Sequence, residues 1–288
     1  KETCCLAEIY LPNIESPEEL DVVAKMLYRV NKHSLALKCS LPETEEIVHK
    51  NMRMGIGVTG YAMASEAQKY WLADCYENLR EYDKVYSKEN GFNESIKLTT
   101  VKPSGTLSLL AGVTSGVHPS TAGSYFIRRI SVASDSSLID VCMANGYHVE
   151  YKRHFDGTED KSTFIVSFPC SYPEGTPSGK DIDVIDQLKD VQFLQRNWSD
   201  NSVSVTAYYK EEDIDRIKEF LNNNWKDGFK SLSFLLYHGH GFDQAPFEEI
   251  TKEEYLELKS KTTPITSIVN AVGMSEVEEC EGGACPIK

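Results

Sequence analysis

No stretch of this 288-residue chain approaches the roughly 18–20 consecutive apolar residues that a membrane-spanning helix needs. The N-terminus lacks the basic-then-apolar pattern of a secretory signal. Cations are scarce. Thirty Lys and Arg stand against 44 Asp and Glu, a formal net charge of −14. A nucleic-acid surface needs Lys and Arg clustered on phosphate, so neither nucleic acid nor membrane is expected as a partner. A small anion is still within reach of an acidic chain where local donors converge. The seven histidines are scattered. "HGHG" at 238–241 has no carboxylate or third imidazole in register and reads as a polar turn, so no metal ligand is assigned. The chain begins at Lys1 rather than Met, as expected of a trimmed or processed start.

What is present is an ordinary globular mixture, long enough for one large domain or two small ones and for a sizeable core. Eight cysteines without a secretory signal imply a reducing, cytoplasmic compartment. In that setting paired cysteines are more often catalytic, redox-active or metal-binding than structural.

Residues 3–11 are a strand candidate. "SPEELDVVAKMLYRV" then opens a helix, with Ser16 as cap, Pro17 at its first position and Glu19 completing a capping box. Val22, Val23, Met26, Leu27 and Val30 are expected on its buried face. Further strands are expected at 54–58, 96–101, 202–209 and 231–236, and helices at 65–89, 181–197, 211–225 and near 251–260. This alternation predicts an α/β fold with parallel pairing. "FIRRISV" (126–132) and "TFIVSF" (163–168) read as strands of a lesser sheet inside an insertion spanning about 112–180. The body is expected over 1–261 and a flexible tail over 262–288.

Three motifs carry candidate chemistry. In "VKPSGTLSLLAGVTSGVHP" (101–119) a strand ends at Lys102-Pro103 and a short helix opens. On spacing alone this is first a strand–turn–helix junction with Ser and Thr as caps. It also suits a phosphate cradle built from backbone N–H groups and the hydroxyls of Ser104, Thr106 and Ser108 around Gly105. Cys4 and Cys5 are neighbours on a strand, so at most one faces a given site; both also read as small buried hydrophobes. Cys280 and Cys285 flank Glu-Gly-Gly-Ala in a tail poor in apolar residues. Their spacing is wide for zinc and no further ligands are near, so thiol–disulfide exchange is the better reading. Cys39, Cys75, Cys142 and Cys170 show no spacing logic and are taken as structural. Arg128 and Arg129 point to opposite faces and suit a surface ion pair.

Together these stretches resemble the catalytic chain of ribonucleotide reductase. "ETCCLAEI" is similar to the family's "ESCNL" strand, "RMGIGVTG" (53–60) to its "RRIGIG" strand, and "KPSGTLSLLAGVTSGVHP" to its "PTGTISLLAGTSGIEP" phosphate loop. "FDQAPFEEITKEEY" (242–255) and "CEGGACPIK" resemble the end of the monomeric, adenosylcobalamin-dependent triphosphate reductases. The di-iron class carries a tyrosine pair where this chain has Ser233 and Phe234, and the glycyl-radical class shows motifs absent here.

The resemblance implies the second five-stranded half of a ten-stranded α/β barrel, with an inserted hairpin region and a redox tail. It implies reduction of ribonucleoside triphosphates by thiyl-radical chemistry with adenosylcobalamin. Pro103, Ser104, Gly105, Thr106 and Ser108 would hold the substrate phosphates. Cys4 would be one of the active-site redox pair, and Cys280 and Cys285 the swinging dithiol. Cys5 stands where the family usually has Asn. Expected partners are the N-terminal portion of the same enzyme, as a separate or trimmed piece, a thioredoxin-type reductant and the nucleotide. The alternative is a non-catalytic nucleotide-binding or metal-binding module.

Overall fold

The computed structural model describes residues 2–237 and 243–267. Two compact units emerge. The first runs to Ser124 and resumes at Tyr172; the second comprises Tyr125–Ser171 and resumes after residue 242. The first unit opens with β1 (Cys5–Tyr10), α1 (Pro17–Leu35), α2 (Pro42–Asn51), β2 (Met54–Thr59), α3 (Glu66–Asn90), β3 (Thr99–Thr100) and the single turn α4 (Leu107–Leu110). The second contributes β4 (Tyr125–Ala133), α5 (Leu138–Ala144), β5 (His148–Arg153) and β6 (Glu159–Ser171). The first continues with α6 (Val184–Asn197), β7 (Thr206–Tyr209), α7 (Ile214–Asn224) and β8 (Ser233–Leu236). The second adds β9 (Phe247–Glu249) and α8 (Lys252–Lys261).

In the first unit β1, β2 and β3 pair in parallel, with Cys5 opposite Met54 and Gly57 opposite Thr100. β7 and β8 pair in parallel, and an isolated parallel bridge joins Val101 to Val203. All pairing in this unit's strands is thus parallel with helices between, the α/β arrangement that the alternation of elements predicts. The strand expected over 96–101 is only two residues long, because the chain around it is held by side chains instead. Trp198 is fully buried, donates its indole N–H to the Thr100 carbonyl at 3.1 Å, and accepts from the Thr99 hydroxyl. Asp200 accepts from the Leu98 N–H and the Tyr76 hydroxyl, each at 2.8 Å, and pairs with Arg80. Residues 198–201, a plain connector in the sequence, therefore fasten α3 and β3 to the approach of β7.

The predicted buried face of α1 needs correction. Val22, Met26 and Val30 are 57%, 61% and 63% exposed. The buried stripe is Leu20, Ala24, Tyr28, Asn31, Lys32 and Leu35, with Val23 and Leu27 partly buried beside it. An apolar-periodicity count misses this stripe because it contains an ion. Lys32 donates to Asp83 Oδ1 at 2.9 Å, the Asn93 carbonyl at 2.7 Å and Ser95 Oγ at 3.0 Å. Asp83 also accepts from Tyr28, Ser87 and the Ser95 N–H. Every ammonium proton has a partner, which is what makes a buried lysine tolerable. Ser16 caps α1 as expected, accepting from the Glu19 N–H; the Glu19 carboxylate accepts from the Glu15 N–H rather than from Ser16.

The second unit is an antiparallel sheet in the order β5-β6-β4-β9. β4 and β6, the two strands expected here, pair from Tyr125–Ser171 to Ala133–Thr163. Arg129 makes the expected ion pair, with Glu248, while Arg128 lies over the Phe247 ring at 4.5 Å. α2, α5, β5 and β9 are short or charge-rich and carry little periodic signal. "HGHG" and the tail cysteines lie outside the described residues. Among the described residues no helix is long and apolar enough to cross a membrane.

Removing one partner of the buried pair leaves the other charge uncompensated. Asp83→Ala is expected to destabilise the protein by about 3–5 kcal/mol in denaturant unfolding. The double variant Lys32→Met/Asp83→Leu should recover much of that loss. A loss below about 1 kcal/mol for Asp83→Ala would show that the pair does not join α1 to α3.

Candidate active site

Along a strand, successive side chains point to opposite faces. On β1, Cys5 and Ile9 pack into the main hydrophobic core with Met54, Ile56 and Val58 of β2. Leu6 and Glu8 therefore project from the other face, and Cys4, one residue before the strand, falls with them by the same alternation. Cys4 is exposed as a residue, and partial desolvation of its thiol, with the neighbouring Cys5, holds its pKa above the ordinary thiol value. Glu2, beside it, pairs with Arg53 at 3.1 Å and accepts from Asn51 at 2.8 Å.

The glycines of "RMGIGV" are explained by what lies across them. A Cβ on Gly55 would sit 2.8 Å from the Leu6 side chain and 3.0 Å from that of Thr100. One on Gly57 would meet the Ala7 carbonyl at 3.2 Å, Lys102 Cε at 3.4 Å and Glu8 Oε1 at 3.5 Å. The long side chains of β1 and of the chain leaving β3 thus meet over the middle strand, and Lys102 Nζ lies 2.5 Å from Glu8 Oε2. The Glu8 side chain is 2% exposed and that of Lys102 24%. Burial raises the Glu8 pKa, opposed by Lys102 and by the Ser104 hydroxyl beside it. Ser104 Oγ is itself buried and outside good hydrogen-bond geometry.

From Lys102 the chain enters the candidate phosphate loop. Pro103, Gly105 and Thr106 are exposed, whereas Ser104 and Ser108 are buried. The Gly105 N–H closes a tight turn onto the Pro103 carbonyl at 2.9 Å, and the Ser108 hydroxyl donates to the Ser104 carbonyl. Such back-bonding to the preceding turn makes Ser108 a brace of the loop. α4 is one turn long, and Thr106 at its start makes no side-chain cap. The returning limb is fixed by Gly116 at φ +55°, whose N–H donates to Thr59 Oγ1 at 2.7 Å. A Cβ on Gly116 would lie 2.4 Å from the Lys102 carbonyl oxygen. Next, His118 Nε2 accepts from the Thr206 N–H at 2.9 Å with Nδ1 facing the Ser115 carbonyl, and burial lowers its pKa. His118 is held neutral and links the loop to β7.

The profile of the family described as "Ribonucleotide reductase, barrel domain" matches residues 76–235, from α3 into β8. The chain belongs to the ribonucleotide reductase family. Curated relatives include the adenosylcobalamin-dependent ribonucleoside-triphosphate reductase of Euglena gracilis, 35% identical over 99% of this chain and 39% of that protein. The enzyme of the same name from Lactobacillus delbrueckii subsp. bulgaricus is 31% identical over all of this chain and 44% of its own length. A crystal structure of a B-12 dependent (class II) ribonucleotide reductase superposes with a TM-score of 0.76 at 28% identity, covering 92% of this chain and 41% of that one. The Actinobacillus ureae class Id alpha subunit shares the fold alone, at TM-score 0.51 and 12% identity. The chain spans 39% and 44% of the length of the two curated relatives.

Within this ribonucleotide reductase chain the predicted site residues are placed unequally. Cys4, by alternation, shares one sheet face with Glu8, and Lys102 and Ser104 at the root of the Pro103–Ser108 loop meet Glu8 there. Cys4 and the loop are not together: Cys4 precedes Glu8 by four strand positions, roughly 13 Å at the usual strand rise. Cys280 and Cys285 lie outside the described residues. Glu8, Lys102 and Gly116 escaped sequence reasoning; a carboxylate on an otherwise apolar strand was the available signal for Glu8. Among the described residues no three His, Cys, Asp or Glu are grouped to hold a metal ion.

Two outcomes check this geometry. Gly116→Ala combines a positive φ with a backbone clash and should cost about 1–3 kcal/mol, whereas Gly105→Ala meets nothing within 4 Å and should stay within about 0.5 kcal/mol. Equal effects would contradict the assigned loop conformation. Folding raises the Glu8 pKa above its ordinary 4.5, so the contribution of protonated Glu8 is full below that value and is lost as pH rises through the raised one. Across that window the wild type should lose stability relative to Glu8→Gln; a pH-independent difference would contradict the burial of Glu8.

Proposed function

We propose that the chain is the second five-stranded half of a ten-stranded barrel that reduces ribonucleoside triphosphates to 2′-deoxyribonucleoside triphosphates in the cytoplasm, acting with the upstream portion of the same enzyme. The observation that carries this reading is the common sheet face bearing Cys4 at one end and the Pro103–Ser108 loop at the other, in a chain of this family. β1 is an edge of its three-stranded sheet and Leu6 on the same face is 55% exposed, as suits a strand that the upstream portion would cover.

In this reading the exposed backbone and hydroxyl of Gly105 and Thr106 receive the phosphates, with Ser104 and Ser108 bracing the turn. Reduction at the 2′ carbon removes the hydroxyl as water and takes two electrons. They come from Cys4 and a partner thiol on the upstream portion, which become a disulfide. Cys280 and Cys285 then reduce that disulfide by exchange and are reduced in turn by a thioredoxin-type dithiol. Exchange proceeds through the thiolate of the attacking tail cysteine. Adenosylcobalamin, when bound, supplies the radical that such reduction needs. Among the described residues, the carboxylates near Cys4 on this face are already engaged, Glu8 by Lys102 and Glu2 by Arg53, so none is assigned to hold it. No step is therefore derived through it.

The full-length enzyme with a thioredoxin-type reductant tests the assignment. Cys4→Ser should abolish multiple turnover and Cys5→Ser should retain it. Cys280→Ala and Cys285→Ala should fail with the protein reductant yet work with a small dithiol. Full turnover by Cys4→Ser would sink the electron-donor role.

A further inference from the structure

We propose that Lys102 is a phosphate-binding residue at the root of the loop, and that Glu8 is the positioning residue that aims its ammonium, the two joined over Gly57. This rests on the phosphate-loop reading above.

The first support is the location of the pair. Replacing a buried ion pair with apolar groups is often neutral or stabilising, so stability alone does not explain why one lies directly before the loop. The second is its asymmetry. Glu8 is sealed in at 2% exposure, while Lys102 keeps 24%. The pair is therefore a dipole whose accessible end is positive, on a protein whose net charge is −14. The contact is an ion pair without hydrogen-bond geometry, and both buried Glu8 oxygens are left without a hydrogen-bond partner, so the three donors of the ammonium are not used up by the carboxylate. The third is that both ends of Lys102 are fixed. Gly116 is packed against its carbonyl oxygen, and Glu8 restrains a side chain that would otherwise sample many rotamers. Ser104, one of the loop's two buried serines, lies beside the same carboxylate. Gly57 is what allows this, because a bulky side chain there would occupy the space the pair crosses. The ligand class is the polyphosphate of a nucleotide, met by Lys102 as a point charge.

The test uses the full-length enzyme. It measures KM and kcat for a ribonucleoside triphosphate and the inhibition constant of inorganic tripolyphosphate competing with it. Lys102→Met leaves a buried carboxylate unpaired and risks misfolding, so the decisive variant is Lys102→Met/Glu8→Gln, which leaves the site neutral. It should raise KM and the tripolyphosphate inhibition constant about tenfold or more, the worth of a charge-assisted bond, with kcat changed less than about threefold. Glu8→Gln alone should raise both constants about three- to tenfold and should add nothing once Lys102 is Met, the non-additivity of a residue that acts through another. A structural role would instead lower kcat and act equally in both backgrounds. Unchanged constants in the double variant, tighter binding by Glu8→Gln, or an equal Glu8 effect with and without Lys102 would each overturn the proposal. Thr106→Asp in the exposed loop separates it from its premise. If Thr106→Asp leaves tripolyphosphate inhibition unchanged, the phosphate-loop reading falls and this proposal with it. If it weakens inhibition while the double variant does not, the Lys102 assignment alone falls.

Discussion

The two-residue side-chain period of β1 is the constraint on which the candidate site depends. Once Cys5 and Ile9 are committed to the core, Cys4, Leu6 and Glu8 have no choice of face. A slip of one residue would bring Cys5 to the open face and drive Glu8 into a core of Met54, Ile56 and Val58, where a carboxylate is intolerable. The acidic residue therefore enforces the register that presents the thiol. This is a link from sequence to chemistry that requires no contact between Glu8 and Cys4, which lie about 13 Å apart by strand rise.

The middle strand then decides what can be built on that face. β2 is buried throughout, yet it alternates Met54, Ile56 and Val58 with glycine. The apolar residues serve the core; the glycines leave a channel over which Leu6 meets Thr100 and Glu8 meets Lys102. The loop is consequently anchored from below by an ion pair that crosses the middle strand. It is anchored from the side by Gly116 on the Lys102 carbonyl and by the Thr59 hydroxyl, which accepts from Gly116 and donates to Thr114. A loop with a one-turn helix and no side-chain cap has little stability of its own, and its conformation is imposed by these neighbours.

The parallel α/β order, the long α3, and the strand pair β4 and β6 were legible because each depends on local periodicity or on runs of β-branched and aromatic residues. The exposed stripe of α1 was misassigned for a physical reason. Two stripes compete on that helix, and the one that faces α3 carries Asn31 and Lys32, whose burial is made possible by Asp83, 51 positions away. Long-range satisfaction of this kind has no local signature. The same holds for Asp200 and Trp198 in their connector, and for Lys102, whose partner lies two strands away. The position of the loop could be read from its small residues. Which of its hydroxyls face outward could not, since Ser108 turns back to Ser104 for reasons internal to the turn.

The separation of Cys4 from the loop is itself informative. A site for a compact anion would draw its redox group and its anion donors together. In the proposed reading they stand at opposite ends of one strand's length, with the exposed Leu6 between them. That spacing suits a substrate that is anionic at one end and reacts at the other, held by its phosphates while the chemistry occurs some distance along the sheet. Binding energy gained far from the reacting atom fixes the reacting atom's position, which is how remote contacts accelerate a reaction. A rigid anchor at the loop end is then worth more than additional donors, because any looseness there is carried along the substrate to the reacting carbon. The ion pair beneath the loop and the glycine locked against its first carbonyl supply that rigidity.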